Sequence, residues 1–296
     1  MASSLTRHAR AIADQLQLPQ FEKLTPADLM SLPGLPYTDA LFCRRLVELQ
    51  LDGRSDQGSR RPGFRAQLMS WFSKFILPED SVIHPMCGPG LILGDLPVVG
   101  RYVGVDINPF AIAHARLTLK PGTHVSFETA NAIGCDLGDN MYSLALLTYE
   151  SVNAFDTSTL RMLFAAIRRA LVPGGRLLLD FRPCAGFLKD PSGQATHTAV
   201  TGSLFSQHTH FLVDEWRYLG RSVFVHRLTL LPITLSRPAH VFHTVAWLYS
   251  EYELDSLLLS FGFRKTATVK PFVNSSMNSD VPEMLEDIAV VYAVQS

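Results

Sequence analysis

The residues whose types and spacing suit chemistry begin at Cys87-Gly88-Pro89-Gly90, directly behind the β-rich run Ser81-Val82-Ile83-His84. Glycines after a strand let the backbone come close to a ligand, and a following helix start offers free N–H groups. Sixteen residues past Gly90 the next β-rich run, Tyr102 to Asp106, ends in an acid. A carboxylate at that strand end can accept both hydroxyls of a ribose. The two features support one another and predict a nucleoside-containing ligand. A dinucleotide enzyme would carry Gly-x-Gly-x-x-Gly here, but the sixth position is Leu93 and Pro89 stiffens the turn. Dinucleotide binding is therefore disfavoured.

A second set follows the run Ser143 to Tyr149. Tyr149 closes it and Glu150, Ser151 and Asn153 fall just beyond, where an open α/β sheet presents its ligands. Glu150 is the best-placed carboxylate for a general base or for holding an amine, and its competing role is to cap the helix that follows. A third set is made of histidines, six of the ten lying between 197 and 243. His208 and His210 share one face if they lie on a strand. That spacing suits a metal pair, but no nearby carboxylate or cysteine completes a ligand set, so no metal is expected. One of the two, with a pKa near neutrality, could instead accept a proton.

The elements that must position these groups are legible in outline. Helical patterns cover residues 5 to 17, a turn at Thr25-Pro26-Ala27-Asp28 with Thr25 as cap, residues 39 to 50 behind Thr38, and Phe64 to Leu77. Between the last two lies a polar, Gly-rich break from Asp52 to Gly63. From Ser81 to Arg182, five β-rich runs alternate with helical stretches near 109–119 and 158–171. Apolar strands spaced by helices imply parallel βαβ units in a doubly wound α/β sheet. The rhythm then changes: residues 183 to 200 read as loop, and three β-rich stretches within 211–250 have no helix between them. They predict an inserted antiparallel β lid. A helix near 251–260 and two further strand-like runs resume the core. The expected division is a helical cap over 1–62, a core over 63–182, the lid over 183–249 and the rest of the core over 250–296.

Composition narrows the function. Of 296 residues 47% are hydrophobic and only 18% charged, with a net charge of −1. This balance argues against disorder, and neither nucleic acid nor an anionic membrane gains a general electrostatic attraction. The lid region 201–250 holds six charged residues but also Phe205, Phe211, Trp216, Tyr218, Phe224, Phe242 and Trp247. A charge-poor, aromatic lid predicts a mostly apolar pocket for a small-molecule partner, with Trp71, Asn153, Trp216 and His243 as its contacts. The four widely spaced cysteines read as reduced thiols, and no signal or membrane-spanning pattern occurs, so a cytoplasmic monomer or homodimer is expected.

The run CGPG, the acid in GVDIN, the LVPGGRLLLD turn and strand, and the ending SFGFRKT before a final hairpin resemble the class I S-adenosylmethionine-dependent methyltransferases of small-molecule type. The resemblance covers about residues 63–182 and 250–296. It implies a seven-stranded Rossmann-like sheet of order 3-2-1-4-5-7-6 and S-adenosylmethionine as cofactor, with S-adenosylhomocysteine as product. By the same resemblance Cys87, Gly88 and Gly90 line the methionine part, Asp106 holds the ribose, Ile107 flanks adenine, and Asn131 with Ala132 meets its edge. Tyr149 borders the methyl group, and Arg65 matches a basic residue that many members aim at the cofactor carboxylate. Two positions depart from the family: His84 stands where an acid is usual, and Met86 replaces the first loop glycine. The cofactor's ammonium must then be held by backbone carbonyls or by another residue. Methyl transfer to N, O or C of a small, partly apolar metabolite is the expected function. The alternative is a protein that binds the cofactor without transferring methyl.

Overall fold

The computed structural model describes residues 23–25, 27–54, 58–118, 124–184, 193–200, 203–220, 222–232, 239–272 and 287–295. They form two compact units, one from residues 37–186 and 249–296 and the other from 1–36 and 187–248. The first is built on a seven-stranded sheet. Its strands are β1 (Ser81–Pro85), β2 (Arg101–Asp106), β3 (Val125–Thr129), β4 (Tyr142–Leu147), β5 (Leu171–Phe181), β10 (Phe263–Phe272) and β11 (Asp287–Val294). The spatial order is β3-β2-β1-β4-β5-β11-β10, with β11 antiparallel to both its neighbours and the other pairings parallel. With β10 and β11 counted as the sixth and seventh core strands, this is the order 3-2-1-4-5-7-6.

The central strands are apolar on both sides because both faces are covered. Leu144, Leu146, Leu147, Leu177, Leu178 and Leu179 are fully buried, and each such leucine stabilises the fold by about 1.5–3 kcal/mol. The helices are α1 (Ala40–Leu51), α2 (Pro62–Phe72), α3 (Pro109–Leu117), α4 (Thr157–Ala170) and α5 (Glu251–Leu259). Each start except that of α2 has a side-chain cap. Asp39 accepts from Phe42 N in α1, Asn108 from Phe110 N in α3, and Asp156 from Thr159 N in α4, while Ser250 and Glu253 form a capping box on α5. For α1 the cap is Asp39, one residue beyond the expected Thr38. Helix α2 instead begins on Pro62, which has no N–H to satisfy, and ends at Phe72 in a single 3₁₀ turn.

The second unit carries a four-stranded antiparallel sheet of β6 (Gly193–Val200), β7 (His210–Leu219), β8 (Val223–Pro232) and β9 (His240–Trp247), in that order. The last three strands follow the expected runs. Strand β6 corrects the loop reading of 183–200: its sequence GQATHTAV has β-compatible threonines but no large apolar residue to give an alternating signal. Buried Arg227 pairs with Glu215 directly opposite it on β7 at 2.7 Å, and Leu24 and Leu29 pack on Leu219, Val223 and Val225. The turn Asp28–Ser31 before this contact has no side-chain cap; Thr25 instead donates its N–H and hydroxyl to Asp28 Oδ2 at 2.7 Å. The helix expected over 5–17 and Pro26 lie outside the described residues. Among the described residues no helix is long and apolar enough to cross a membrane.

Candidate active site

A cavity of about 640 Å³ opens at the carboxyl ends of β1 to β4, within the size range of small-ligand sites. Its floor is the loop Met86–Pro89. Met86, Gly88 and Gly90 all have left-handed backbone conformations, at φ 58°, 55° and 75°. Met86 thus takes up the geometry a glycine would have there, at a cost of about 1–2 kcal/mol for a side-chain-bearing residue. Gly90 faces away from the cavity: a Cβ on it would stand 3.1 Å from the Phe127 ring and 3.2 Å from Ala115. It is needed for close packing of the loop against α3 and β3, not as ligand lining.

Asp106 fastens this loop to the end of β2. Its Oδ2 accepts from Gly88 N at 2.8 Å and its Oδ1 from Asn108 N at 2.9 Å. Burial pushes its carboxyl pKa above the ordinary value, against the opposing pull of those N–H groups. Each oxygen keeps lone-pair capacity for a further donor. Ile107, Asn131 and Ala132 line the cavity beside it, and Asn131 Oδ1 receives Ile133 N at 3.0 Å, which fixes the side chain. Cys87 also lines the cavity, its thiol pKa raised by burial.

The wall beyond β4 is Thr148 to Ser151. Tyr149 and Glu150 are successive left-handed residues at φ 63° and 57°. Fully buried Asp180 on β5 holds that turn, accepting from Tyr149 N at 2.7 Å and Glu150 N at 3.1 Å. The Tyr149 hydroxyl is shut off from solvent without a hydrogen-bond partner, and burial raises its pKa, so it is a neutral donor. Glu150 does not cap a helix; Asp156 does that for α4. Its carboxylate instead pairs with Arg60 and with Arg182, the latter at 2.7 Å.

Several expected contacts stand elsewhere. His84 is buried in the sheet, with Nδ1 at 2.6 Å from the Tyr102 hydroxyl and Nε2 at 3.2 Å from Thr148 Oγ1. Burial lowers its pKa to about 3, so it is neutral, and it does not line the cavity. Arg65 is engaged by Asp95 at 2.6 Å, and Trp71 packs with Phe72 and Phe75 against the apolar core. Neither lines the cavity, and nor does Asn153, whose amide exchanges hydrogen bonds with the Arg182 backbone at 2.8 and 3.0 Å. His208, His210, Trp216 and His243 belong to the four-stranded unit. There His210 is held by Ser203 Oγ at 3.0 Å and the His208 carbonyl at 2.7 Å, and His208 precedes the strand it was expected to share. His243 Nδ1 lies 3.2 Å from the Pro33 carbonyl. Among the described residues no three His, Cys, Asp or Glu side chains cluster as a metal site. Tyr37, Leu46, Gln50 and Ser59 also line the cavity and carried no signal in the sequence. They come from α1 and its flanks, where only the three-dimensional fold shows which face meets the glycine loop.

The seven-stranded unit thus combines one antiparallel strand, a glycine loop after β1 and an acid closing β2 around a cavity at the strand ends. Residues 82–175 match the family model described as a methyltransferase domain. The matched residues run from β1 into β5 of the seven-stranded sheet. Among solved structures, the CcbJ methyltransferase from Streptomyces caelestis superposes with a TM-score of 0.60 at 15% identity, over 87% of this chain and 100% of that one. The sugar N-methyltransferase KedS8 from Streptoalloteichus sp. gives 0.55 at 19% identity, over 81% and 90%. CalS10, an amino pentose methyltransferase from Micromonospora echinaspora, gives 0.53 at 18%, over 83% and 95%. These likenesses show a shared fold. The comparison with curated protein sequences gives no match.

Proposed function

We propose that this chain transfers the methyl group of S-adenosylmethionine to N, O or C of a small, partly apolar metabolite in natural-product metabolism. The observation that carries the reading is the cavity itself. Asp106, Asn131 and Ala132 line one side of it and Tyr149 another, with the glycine loop as floor. The residues fit the cofactor's chemistry. Asp106 retains acceptor capacity for ribose hydroxyls, and the unpartnered Tyr149 hydroxyl leaves a buried donor for a ligand to satisfy. KedS8 and CalS10, described as acting on sugars, support an acceptor of metabolite size.

When bound, the cofactor supplies a methyl group already activated by its sulfonium. The protein then has to align the acceptor in line with that group, exclude water and leave a route for the acceptor's proton. Tyr149 and Glu150 border the space where this happens, held by the Asp180 latch. With its carboxylate engaged by two guanidinium groups, Glu150 acts here as part of a charged wall, and the neutral Tyr149 hydroxyl acts as a donor. The reading without methyl transfer took its support from His84 and Met86. His84 stands outside the cavity and Met86 adopts a glycine's backbone angle, so transfer is the preferred reading. The partner is a small molecule, with neither nucleic acid nor membrane involved, and the protein works in the cytoplasm as a monomer or homodimer. Isothermal titration with S-adenosylmethionine and S-adenosylhomocysteine tests the cavity, and mass spectrometry of candidate acceptors for the gain of one methylene tests transfer. Tight binding with no product across amino-sugar, phenol and activated-carbon panels would return the non-transferring reading to first place.

A further inference from the structure

The glycine loop of this domain lacks its usual acid at the end of β1. His84, which stands in that place, has both ring nitrogens engaged by Tyr102 and Thr148 and is out of the cavity. A positively charged group seated on the loop then has only backbone carbonyls there, unless another element supplies a side-chain acceptor. Gln50, one residue before the end of α1, lines the same cavity. Its amide stands over Gly88: a methyl group built on that glycine would lie 3.6 Å from Gln50 Nε2 and 4.0 Å from Oε1. The Oε1 atom is closed to solvent and accepts no hydrogen bond. An unmet buried acceptor in that position destabilises the unliganded protein and calls for a donor. An ammonium has only donors to offer and an amide oxygen only accepts, so the two are complementary without a second charge having to be buried.

We infer that Gln50 is the receptor for the ammonium of the cofactor's amino-acid end, replacing from helix α1 the acid missing from β1. The inference rests on the methyl-donor reading of the cavity and adds to it the residue that recognises one pole of the ligand.

The test is titration calorimetry of the whole chain with S-adenosylhomocysteine and with the analogue in which its amino group is replaced by hydrogen. The wild type should bind the amino compound about 10- to 100-fold more tightly, the range of one hydrogen bond to a charged group. Gln50→Leu should lose that factor for S-adenosylhomocysteine and leave the analogue's affinity unchanged. Gln50→Glu, which still offers an acceptor, should keep the preference. Equal weakening of both ligands by Gln50→Leu would make the residue a mere support of the loop and overturn the inference, as would no change for either. Should the leucine variant fail to fold, loss of the preference in Gln50→Glu overturns it and retention upholds it. A wild type that binds neither compound overturns the methyl-donor reading and this inference together. A wild type that binds both equally overturns only the inference.

Discussion

Replacing Asp106 by alanine separates the two jobs its position gives it. In the unliganded protein its oxygens receive Gly88 N at 2.8 Å and Asn108 N at 2.9 Å. Each hydrogen bond to a charged acceptor contributes about 1.5–3 kcal/mol. Part of that is offset, because burial already works against the charged carboxylate and alanine removes this penalty. The expected loss is about 1–3 kcal/mol of stability, seen as a lower midpoint in urea unfolding. Binding should fall further. With Asp106 as the proposed acceptor of the ribose hydroxyls the contact would be charge-assisted, so S-adenosylhomocysteine should bind about 10- to 100-fold more weakly by calorimetry. Asp106→Asn keeps one acceptor oxygen and should lie between wild type and alanine in both assays. The raised pKa fixes the sign of the pH effect. Between the ordinary value of 3.8 and the higher folded one, the folded chain holds the proton more tightly than the unfolded chain. This group's contribution to stability therefore falls as pH rises through that window. Ligand affinity moves the other way, weakening as acid protonates the ribose acceptor, and the Asn variant should show neither trend. Unchanged affinity in both variants would refute the placement of the ribose, whatever happens to stability.

Three other substitutions probe the scaffold. Gly90→Ala places a Cβ 3.1 Å from Phe127 at a φ of 75°, so thermal unfolding should show a loss of about 1–3 kcal/mol; an unaltered midpoint would contradict the packing described for the loop. Asp180→Ala leaves two N–H groups of the Tyr149–Glu150 turn without their acceptor and should cost about 2–5 kcal/mol in denaturant unfolding. If its stability equals that of the wild type, the turn does not depend on the latch. Because burial lowers the pKa of His84 from 6.5 to about 3, the unfolded chain binds a proton in that window that the folded chain refuses. Stability should fall as pH drops below about 6.5, by up to about 1.4 kcal/mol per pH unit from this group, and His84→Gln should flatten the slope. A slope identical in the variant would show that other groups set it.

The sheet was legible because its signals are local. Runs such as Leu144–Leu147 and Leu177–Leu179 are apolar throughout, and Asn108-Pro109 and Asp156 announce helices. Asp106 and the glycine loop could be read for the same reason, each being tied to a strand end by sequence distance. Glu150 could be placed but not understood, since Arg60 and Arg182 lie 90 and 32 residues away along the chain. Asp180 looked like one more residue of the apolar fifth strand, and nothing in its own neighbourhood reveals that it holds the turn after the fourth. Gln50 is a polar residue on an amphipathic helix, and its meaning depends on which loop the helix meets. His84 and Met86 were visible as departures, but only the backbone angles and the burial show that one withdraws from the cavity and the other imitates glycine.

The excursion between β5 and α5 leaves and rejoins the seven-stranded unit through one pinch: Pro183 pairs with Tyr249, and Cys184 N donates to the Tyr249 carbonyl at 3.1 Å. The first unit is therefore interrupted once and the chain passes between the units only three times, after residues 36, 186 and 248. A gene that starts at Tyr37 and splices a short linker across 187–248 would encode the seven-stranded unit alone. Because Leu24 and Leu29 pack on β7 and β8, the N-terminal segment belongs with the part removed, and the two pieces would have to be exchanged together. The molecule is in this sense a cassette with two cuts and one splice, through which a different four-stranded module could be joined to the same seven-stranded unit.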